Sequence, residues 1–242
     1  MIAATVVFGA LAAAKALGVD AAATAVTRFS TTSPDASLPD GWIHQTLPNV
    51  ERPNRFDLVS ENGQRVLRVV SDRSASTLAF ALRADAAATP WLSWRWQISH
   101  AVDGSDFRSK AGDDYAARVY VLFDLPAERL GLGDRVKMSA AKLLHGTEIP
   151  AAALCYIWGN RQAVGEAGWN AYTDRLRMLV VDSGNEHAGQ WRDVARNVAA
   201  DFVAAFGAPV PPIVGIAVSA DTDTTGEAVE ARFGDFSLSP HP

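Results

Sequence analysis

Hydrophobic and polar residues alternate along most of the chain from about residue 26 onwards, in short runs separated by Gly, Pro, Asn and Asp. Alternation with a period of two is typical of β-strands that have one buried and one exposed face. The runs predict strands at residues 41–47, 55–61, 65–71, 76–82, 91–98, 113–124, 153–159, 175–184, 213–220 and 227–239. Strands this short and this closely spaced predict an all-β protein with a jelly-roll-like β-sandwich.

The segment Glu61–Gln64, with the sequence ENGQ, separates the second and third predicted strands. The Asn-Gly pair readily adopts the positive φ angles of a two-residue hairpin turn. We therefore predict that these two strands form an antiparallel hairpin.

Two segments depart from the strand pattern and predict two helical insertions. Residues 126–146 have a helix-forming composition toward their C-terminal half, and residues 191–206 carry an apolar residue at every fourth position. The repeated residues are Val194, Val198, Phe202 and Phe206. Gly207 and Pro209 follow as a stop signal. We expect the second helix to bury this apolar side against the sandwich.

The N-terminal segment has a different character from the rest of the chain. Residues 2–14 form an Ala-rich apolar run with the length of a signal-peptide core, followed by small residues suited to cleavage, although no Lys or Arg precedes it. We interpret residues 1–25 as an export signal or a disordered leader, and residues 26–242 as a single sandwich domain. This interpretation predicts a periplasmic or secreted protein. The alternative is a loose Ala-rich helix on a cytosolic protein.

Composition narrows the class of protein further. The chain has 242 residues, of which 48% are hydrophobic, and a net charge of −5, as in ordinary soluble globular proteins. It has no block of basic residues, which argues against a nucleic-acid partner, and no further segment apolar enough for a stable membrane span. Cys155 is the single cysteine, so an internal disulfide is excluded, and its apolar surroundings predict a buried thiol.

Several predicted strands pair an apolar face with a face that carries Arg, Tyr and small residues, because successive side chains point to opposite sides. We assign seven side chains as candidate ligand-binding residues: Arg95, Asp114, Arg118, Tyr120, Tyr156, Trp158 and Asn197. Aromatic rings stack on sugar rings, while Arg, Asp and Asn form hydrogen bonds with hydroxyl groups. The pattern therefore predicts a face for a glycan or another polar ligand. The alternative is that these side chains only hold the sheets together.

The stretch DTDTTG, at residues 221–226, begins like a calcium-binding loop, with Asp221 and Asp223 as metal ligands and Gly226 at the turn. The position of the bidentate Glu in such a loop is Arg232 here, so further oxygen ligands would come from elsewhere. A turn whose Asp side chains cap its own N–H groups is one alternative. Direct contact with a ligand is the other. Calcium is the one cofactor that the sequence suggests.

Asp113 and Asp114 are adjacent carboxylates at the start of a predicted strand. A glycosidase needs a second carboxylate about 5–10 Å from the first, and Asp223, Glu227 and Glu230 are candidates. A glycan hydrolase that uses Asp114 is therefore an alternative function. The sequence contains no zinc-binding His spacing, nucleophile elbow, P-loop or dinucleotide-binding motif.

Five motifs in order resemble those of a bacterial family of exported proteins that is known as a domain of unknown function. They are W-R-W at Trp94–Trp96, D-D-x-x-x-R-V at Asp113–Val119, Y-x-W-G at Tyr156–Gly159, R-N-V-x-x-D at Arg196–Asp201 and D-T-D-x-T-G at Asp221–Gly226. The resemblance covers residues 27–239 and implies a jelly-roll-like fold without an established activity. Together with the residues, it favours a non-catalytic binding module in the cell envelope. A structural envelope protein is a further alternative.

Overall fold

The computed structural model describes residues 23–33, 35–47, 50–129 and 152–242, and in these ranges the strands form two β-sheets. The seven-stranded sheet contains, in spatial order, β1 (Trp42–Gln45), β4 (Ala75–Ala84), β11 (Ile213–Asp221), β6 (Tyr115–Phe123), β7 (Ala152–Gly159), β9 (Thr173–Ser183) and β8 (Ala167–Asn170). The six-stranded sheet contains β10 (Arg192–Asn197), β5 (Trp91–Ile98), β12 (Ala228–Phe233), β3 (Gln64–Asp72) and β2 (Arg55–Glu61), and β13 (Ser237–Ser239) also pairs with β5. The predicted two-sheet sandwich is confirmed, while its jelly-roll-like connectivity stays a prediction.

Neighbouring strands are antiparallel except for β7 and β9, which are parallel. The predicted hairpin joins β2 to β3, and its turn residues Asn62 and Gly63 have φ angles of 50° and 79°. These are the positive values that the Asn-Gly pair favours. Every predicted strand has a counterpart, but β8 and β10 were not predicted as strands.

The main core lies between the two sheets and is rich in aromatic rings. Trp94 and Trp96 point inward from β5, and Tyr156 and Trp158 point inward from β7. The ring centroids of Trp94 and Tyr156 are 5.4 Å apart, and those of Trp96 and Trp158 are 5.7 Å apart. Such pairs add about 0.5–1.5 kcal/mol beyond the burial of their apolar area. The tryptophans of the W-R-W motif therefore hold the sheets together.

The outer face of the seven-stranded sheet is buried as well. All residues of β6 and β7 are buried, which explains why their sequences are almost continuously apolar. Tyr120, Cys155 and Met178 belong to a second apolar cluster on this face. The predicted buried thiol is confirmed, and burial raises the pKa of Cys155 well above its ordinary value.

The prediction of one helix over residues 191–206 is wrong in its first half. Residues Arg192–Asn197 form β10, which pairs with β5 and sets Val194 opposite Trp94. The chain then turns into the helix α1 (Val198–Phe206), in which Val198 and Phe202 are buried. Residues four apart, such as Val194 and Val198, lie on the same face of a helix and also on the same face of a strand. Their spacing alone therefore does not show where β10 ends and α1 begins.

The other predicted helical insertion, at residues 126–146, falls mainly outside the described residues. Its described part contains a single 3₁₀ turn, Ala127–Arg129. At the N-terminal end, which includes the end of the predicted leader, Ala23 forms a bridge with Leu82 of β4. Among the described residues, no helix is both long enough and apolar enough to cross a membrane.

The predicted strand at 227–239 is interrupted. Residues 234–236 separate β12 from β13, yet both strands pair with β5. Gly234 donates its N–H to the carbonyl of Arg95 at 2.9 Å, and the Asp235 carboxylate turns away to accept hydrogen bonds from the N–H and hydroxyl of Ser30. The break therefore opens a depression over β5.

We predict that Phe202→Ala lowers the free energy of unfolding by about 3–5 kcal/mol, because it leaves a cavity in the core. Phe202 is fully buried, and its ring centroid lies 4.5 Å from that of Phe123. Val203, the next residue of α1, is 42% exposed, so Val203→Ala is the matched control and should change stability by less than about 0.5 kcal/mol. Urea unfolding of both variants measures the difference. Equal effects would mean that the helix does not pack through Phe202.

Candidate functional site

Arg118 lies in the middle of β6, on the outer face of the seven-stranded sheet, and it is fully buried. Its neighbours across the sheet are Ser219 of β11 and Ile157 of β7. Tyr120 follows two residues later and therefore lies on the same face. A guanidinium removed from water is very costly unless nearby groups neutralise it and accept its hydrogen bonds.

Two carboxylates provide this neutralisation. Nη1 of Arg118 lies 3.3 Å from Oδ1 of Asp113, and Nη2 donates to the Asp113 carbonyl. Nε lies 2.9 Å from Oδ2 of Asp221, close enough for an ion pair but not aligned as a hydrogen bond. Nη1 also donates to the Tyr120 hydroxyl at 3.3 Å, and the guanidinium lies 4.8 Å from the centre of the Tyr115 ring.

Neutral side chains fix these two carboxylates in turn. Nδ2 of Asn170 lies 3.0 Å from both oxygens of Asp113, and the Ser219 hydroxyl donates to Oδ1 of Asp221 at 3.1 Å. We call Asp113, Arg118 and Asp221 the Arg118 cluster. It joins β6, β11 and the end of β8 within one buried network.

Asp114, the predicted ligand-binding residue and hydrolase carboxylate, caps the DTDTTG turn. Its Oδ2 accepts hydrogen bonds from the backbone N–H of Thr224 at 3.0 Å, and from the N–H and hydroxyl of Thr225 at 2.7 and 2.8 Å. The turn closes on itself as well, because the N–H of Gly226 donates to the Thr222 carbonyl. The DTDTTG turn is therefore capped by a carboxylate from another part of the chain.

Asp221 and Asp223, the two predicted calcium ligands, have different surroundings. Asp221 is engaged by Arg118 and Ser219, and Asp223 is partly exposed in the turn. Within the described ranges, no group of three or more His, Cys, Asp or Glu side chains is arranged to hold a metal ion. Calcium binding stays a prediction.

Thermal melting of the protein with calcium and with a chelator tests whether calcium binds. Binding to the folded state would raise the free energy of unfolding by about 2.7 kcal/mol at a hundredfold excess of calcium over Kd.

Burial raises the pKa values of both carboxylates in the Arg118 cluster. Burial raises the pKa of Asp221 to about 7; Arg118 opposes this rise, whereas the neighbouring carboxylates of Asp114, Asp223 and Asp113 add to it. Burial also raises the pKa of Asp113, against the opposing effects of Arg118 and Asn170. One guanidinium therefore does not fully compensate the carboxylates that crowd around it.

Tyr156 and Trp158 do not share a face with Arg118 and Tyr120, so this part of the predicted binding face is wrong. They point into the core between the sheets, while Cys155 and Ile157 of the same strand point outward beside Tyr120 and Arg118. Both faces of β7 are apolar, and its sequence therefore does not reveal which face is which. The Trp158 indole donates to the carbonyl of Gly184 at 3.0 Å.

The side chains of Asn197 and Tyr156 form hydrogen bonds with residues of α1. The Asn197 side chain caps the helix by accepting a hydrogen bond from the N–H of Ala200 at 2.9 Å. The Tyr156 hydroxyl donates to Asp201 at 2.7 Å, and Arg196 forks to the same carboxylate at 2.6 and 3.0 Å. These side chains anchor the helix on the sandwich, and a role in ligand contact stays a prediction.

Arg95 is the predicted residue that lies in an open site. It lines a cleft of about 420 Å³ on the outer face of the six-stranded sheet. The polar residues that line the cleft are Ser30, Gln64, Arg65, Ser93, Arg95, Asp193, Asp235 and Ser237. They come from distant parts of the sequence, and the break between β12 and β13 makes room for them.

The floor of the cleft follows from the strand register. Ser93 of β5 lies between Ala195 of β10 and Ser237 of β13, so the middle row carries only small side chains. In the next row Arg95 lies beside Asp193. Inward and outward residues alternate along β5, and Ser93 and Arg95 are both partly exposed.

The Arg95 side chain is held in place from several sides. Its guanidinium lies 4.5 Å from the centre of the Trp191 ring, and Nη2 donates to Oε1 of Gln64 at 3.1 Å. The Trp191 indole is fixed by Glu61, to which it donates at 2.9 Å. A Cβ atom at Gly234 would lie 2.5 Å from Cγ of Arg95, so only glycine leaves room for this side chain.

The other cleft residues are not marked by any motif in the sequence. Ser30, Gln64 and Ser237 are small or common polar residues near strand ends, and no motif marks them. The sequence predicts a helix over residues 191–206, and a helix does not pair with β5. The position of Asp193 beside Arg95 was therefore not predicted. The alternation in β5 did reveal that Ser93 and Arg95 share one face, and this is the signal that could have located the site.

Comparison with known proteins gives one family. Residues 40–237 match the family described as protein of unknown function (DUF3047). No curated protein matches the chain significantly.

Several solved structures are similar at low sequence identity. The family 11 carbohydrate-binding module of Clostridium thermocellum is 8% identical, with 90% of this chain and 96% of that chain covered and a TM-score of 0.39. The xyloglucanase domain of NopAA from Sinorhizobium fredii is 10% identical, with 83% and 94% covered and a TM-score of 0.41. The glycoside hydrolase domain of Endo-D from Streptococcus pneumoniae R6 is 9% identical, with a TM-score of 0.36. The match covers 83% of this chain, which spans 22% of the Endo-D chain.

We predict that Asp221 makes the protein less stable as the pH rises through 7. Its pKa is raised by folding, from an ordinary 3.8 to about 7, so the folded state holds a proton that the unfolded state releases. This contribution is fully present below about pH 4 and is lost as the pH rises to 7, with a slope of at most about 1.4 kcal/mol per pH unit.

Urea unfolding between pH 4.5 and 8 measures this slope in the wild type and in Asp221→Asn, which cannot titrate at this position. Asp221→Asn also changes the absolute stability, but all other titrating groups remain, so the difference between the two profiles reports Asp221. Parallel profiles would show that Asp221 has the same pKa in the folded and unfolded states.

Proposed function

The chain belongs to the DUF3047 family, and we propose that it is a non-catalytic module that binds a glycan or another polar, hydroxyl-rich ligand. The observation that carries the proposal is the cleft around Arg95, which collects hydrogen-bonding side chains from distant parts of the chain on an open face. Ligand sites are concave, and a few well-placed polar groups within them give specificity.

The chemistry of the cleft suits hydroxyl groups. Arg95 offers N–H donors in a fixed position, and Asp193 offers carboxylate oxygens directly beside it. Asp193 is exposed, and no described residue forms an ion pair with its carboxylate. A donor and an acceptor side by side match a hydroxyl group, which both donates and accepts. The hydroxyls of Ser93 and Ser237 on the floor add partners of the same kind.

The preformed geometry also favours binding. Trp191 and Gln64 hold Arg95 in place without covering the cleft, so little side-chain freedom remains to be lost when a ligand arrives. The cleft floor consists of three hydrogen-bonded strands, β10, β5 and β13. Sites on rigid elements are more precise than sites on loops.

A glycan hydrolase that uses Asp114 receives less support. Asp114 has no exposed surface, and its Oδ2 already accepts three hydrogen bonds. A general acid or base has to reach the atom with which it exchanges a proton. Release of reducing ends from a bound glycan by the wild type, but not by Asp114→Asn, would favour the hydrolase instead. A purely structural role would be favoured if no glycan bound at all.

We place this function in the cell envelope, because residues 1–25 have the length and the small residues of an export signal. A fusion of these residues to a reporter that is active only outside the cytoplasm tests the localisation. An inactive reporter would contradict it.

We predict that Arg95→Ala weakens glycan binding at least about tenfold. A hydrogen bond from a charged donor contributes about 1.5–3 kcal/mol, and 1.4 kcal/mol corresponds to a factor of ten. The measurement is a screen on an array of neutral and charged glycans, followed by calorimetry with those that bind. Arg68→Ala is the matched control, because Arg68 lies in the same sheet but outside the cleft and forks to Asp57 at 2.7 and 2.8 Å.

A second variant tests the location without removing a hydrogen bond. Ala195 is exposed on the edge strand β10, so Ala195→Phe should fill the cleft while the fold persists. Ala228→Phe places the same ring on another exposed strand position of this sheet, outside the cleft, and should leave binding unchanged. If glycans bind and both Ala195→Phe and Arg95→Ala bind like the wild type, the cleft is not the site.

A further inference from the structure

Trp91, the first residue of β5, differs from the other tryptophans in its contacts. Among the tryptophans of the described chain, the other six rings each make a ring–ring or cation–π contact. The Trp91 ring makes no such contact with the described residues, and its indole N–H donates to none of them. It is nevertheless only partly exposed and lies on a regular strand, so its position is defined.

The strand register places Trp91 just beyond the cleft, on the same face of β5. Trp91, Ser93 and Arg95 alternate with inward residues and therefore share the outer face of β5. Trp91 pairs with Asn197 of β10 and with Ser239 of β13, one row beyond the small-residue row that contains Ser93. Four residues of strand span about 13 Å, which separates the Trp91 and Arg95 positions.

The two ends of this surface offer complementary contacts to a sugar chain. At one end, Arg95 and Asp193 present a donor and an acceptor for hydroxyl groups. At the other end, Trp91 is partly exposed and makes no ring–ring or cation–π contact with the described residues, so the exposed part of its ring can stack on the apolar face of a sugar ring. The small residues Ser93, Ala195 and Ser237 lie between them and leave room for a chain that crosses the sheet.

The charge of the cleft indicates a neutral ligand. Its charged lining residues are Arg65, Arg95, Asp193 and Asp235, whose formal charges cancel. Arg65 donates to the backbone carbonyls of Thr32, Ser33 and Ala36, and Asp235 accepts from Ser30, so both are satisfied within the protein. An anionic ligand would meet the exposed Asp193 carboxylate without a surplus of positive charge to offset the repulsion.

We infer that the ligand is a neutral oligosaccharide of at least two linked sugar rings, which crosses the six-stranded sheet from the Arg95–Asp193 pair to Trp91 and stacks one ring on the Trp91 indole. This inference rests on the proposed function and specifies its ligand class. A single sugar ring does not cover the distance between the two ends, so the inference requires affinity to depend on the length of the oligosaccharide.

The test compares Trp91→Ala and Trp91→Phe with the wild type by calorimetry. The probes are neutral hexasaccharides of glucose, mannose, xylose and N-acetylglucosamine, the matching monosaccharides, and an oligogalacturonate as the anionic probe. For the hexasaccharide that binds, Trp91→Ala should weaken affinity about tenfold, and Trp91→Phe should retain most of it, because phenylalanine keeps an aromatic face. Trp169→Ala, which removes a 39% exposed tryptophan from the seven-stranded sheet, is the control and should have no effect.

The outcomes separate this inference from the proposed function. If a hexasaccharide binds and Arg95→Ala weakens it while Trp91→Ala does not, the role of Trp91 is wrong and the proposed function stands. Tighter binding of the oligogalacturonate, or equal affinity for a monosaccharide and its hexasaccharide, would also overturn the inference alone. If the wild type binds none of the probes and none of the arrayed glycans, both fail. Thermal melting of each variant confirms that lost binding does not reflect an unfolded protein.

Discussion

A positive charge that is fully enclosed in an apolar face sets the main constraint on this fold. Arg118 can remain buried only while Asp113 and Asp221 stay beside it, and these two carboxylates come from different strands and loops. Loss of one partner from a buried ion pair costs about 3–5 kcal/mol, because the remaining charge is left without compensation. Because Asp221 ends β11 and pairs with Arg118 of β6, this ion pair constrains the register between the two strands. It also constrains where the chain leaves β11 for the DTDTTG turn.

Most side chains of the conspicuous motifs make contacts within the protein. The D-D-x-x-x-R-V and D-T-D-x-T-G motifs meet around Arg118, where Asp114 caps the turn and Asp221 pairs with the guanidinium. The W-R-W and Y-x-W-G motifs place their rings in the core between the sheets. Arg95, the central residue of W-R-W, is the exception, because it points outward into the cleft. Buried polar networks and aromatic cores leave strong sequence patterns, whereas an open polar site needs only a few ordinary residues.

Prediction from the sequence succeeded where one local rule acted alone. Alternation located the strands, and the positive φ preference of Asn62 and Gly63 located a hairpin. Prediction failed at the change from β10 to α1, because a strand and a helix can carry the same apolar spacing. It also failed in β7, because both faces of this strand are apolar. It also missed Ser30 and Ser237 in the cleft, because their positions depend on contacts between distant segments. Arg95 was assigned correctly to the outer face of β5, because burial alternates along this strand.

The hydrogen bonds between Ser30 and Asp235 join residues that are 205 positions apart in the chain, and they form part of the cleft wall. Such a contact closes late, because the entropy of ordering the intervening chain has to be offset first. A ribosome therefore completes almost the whole domain before this wall of the cleft can form. A chain that ends before Asp235 would retain most of the strands but lack this wall.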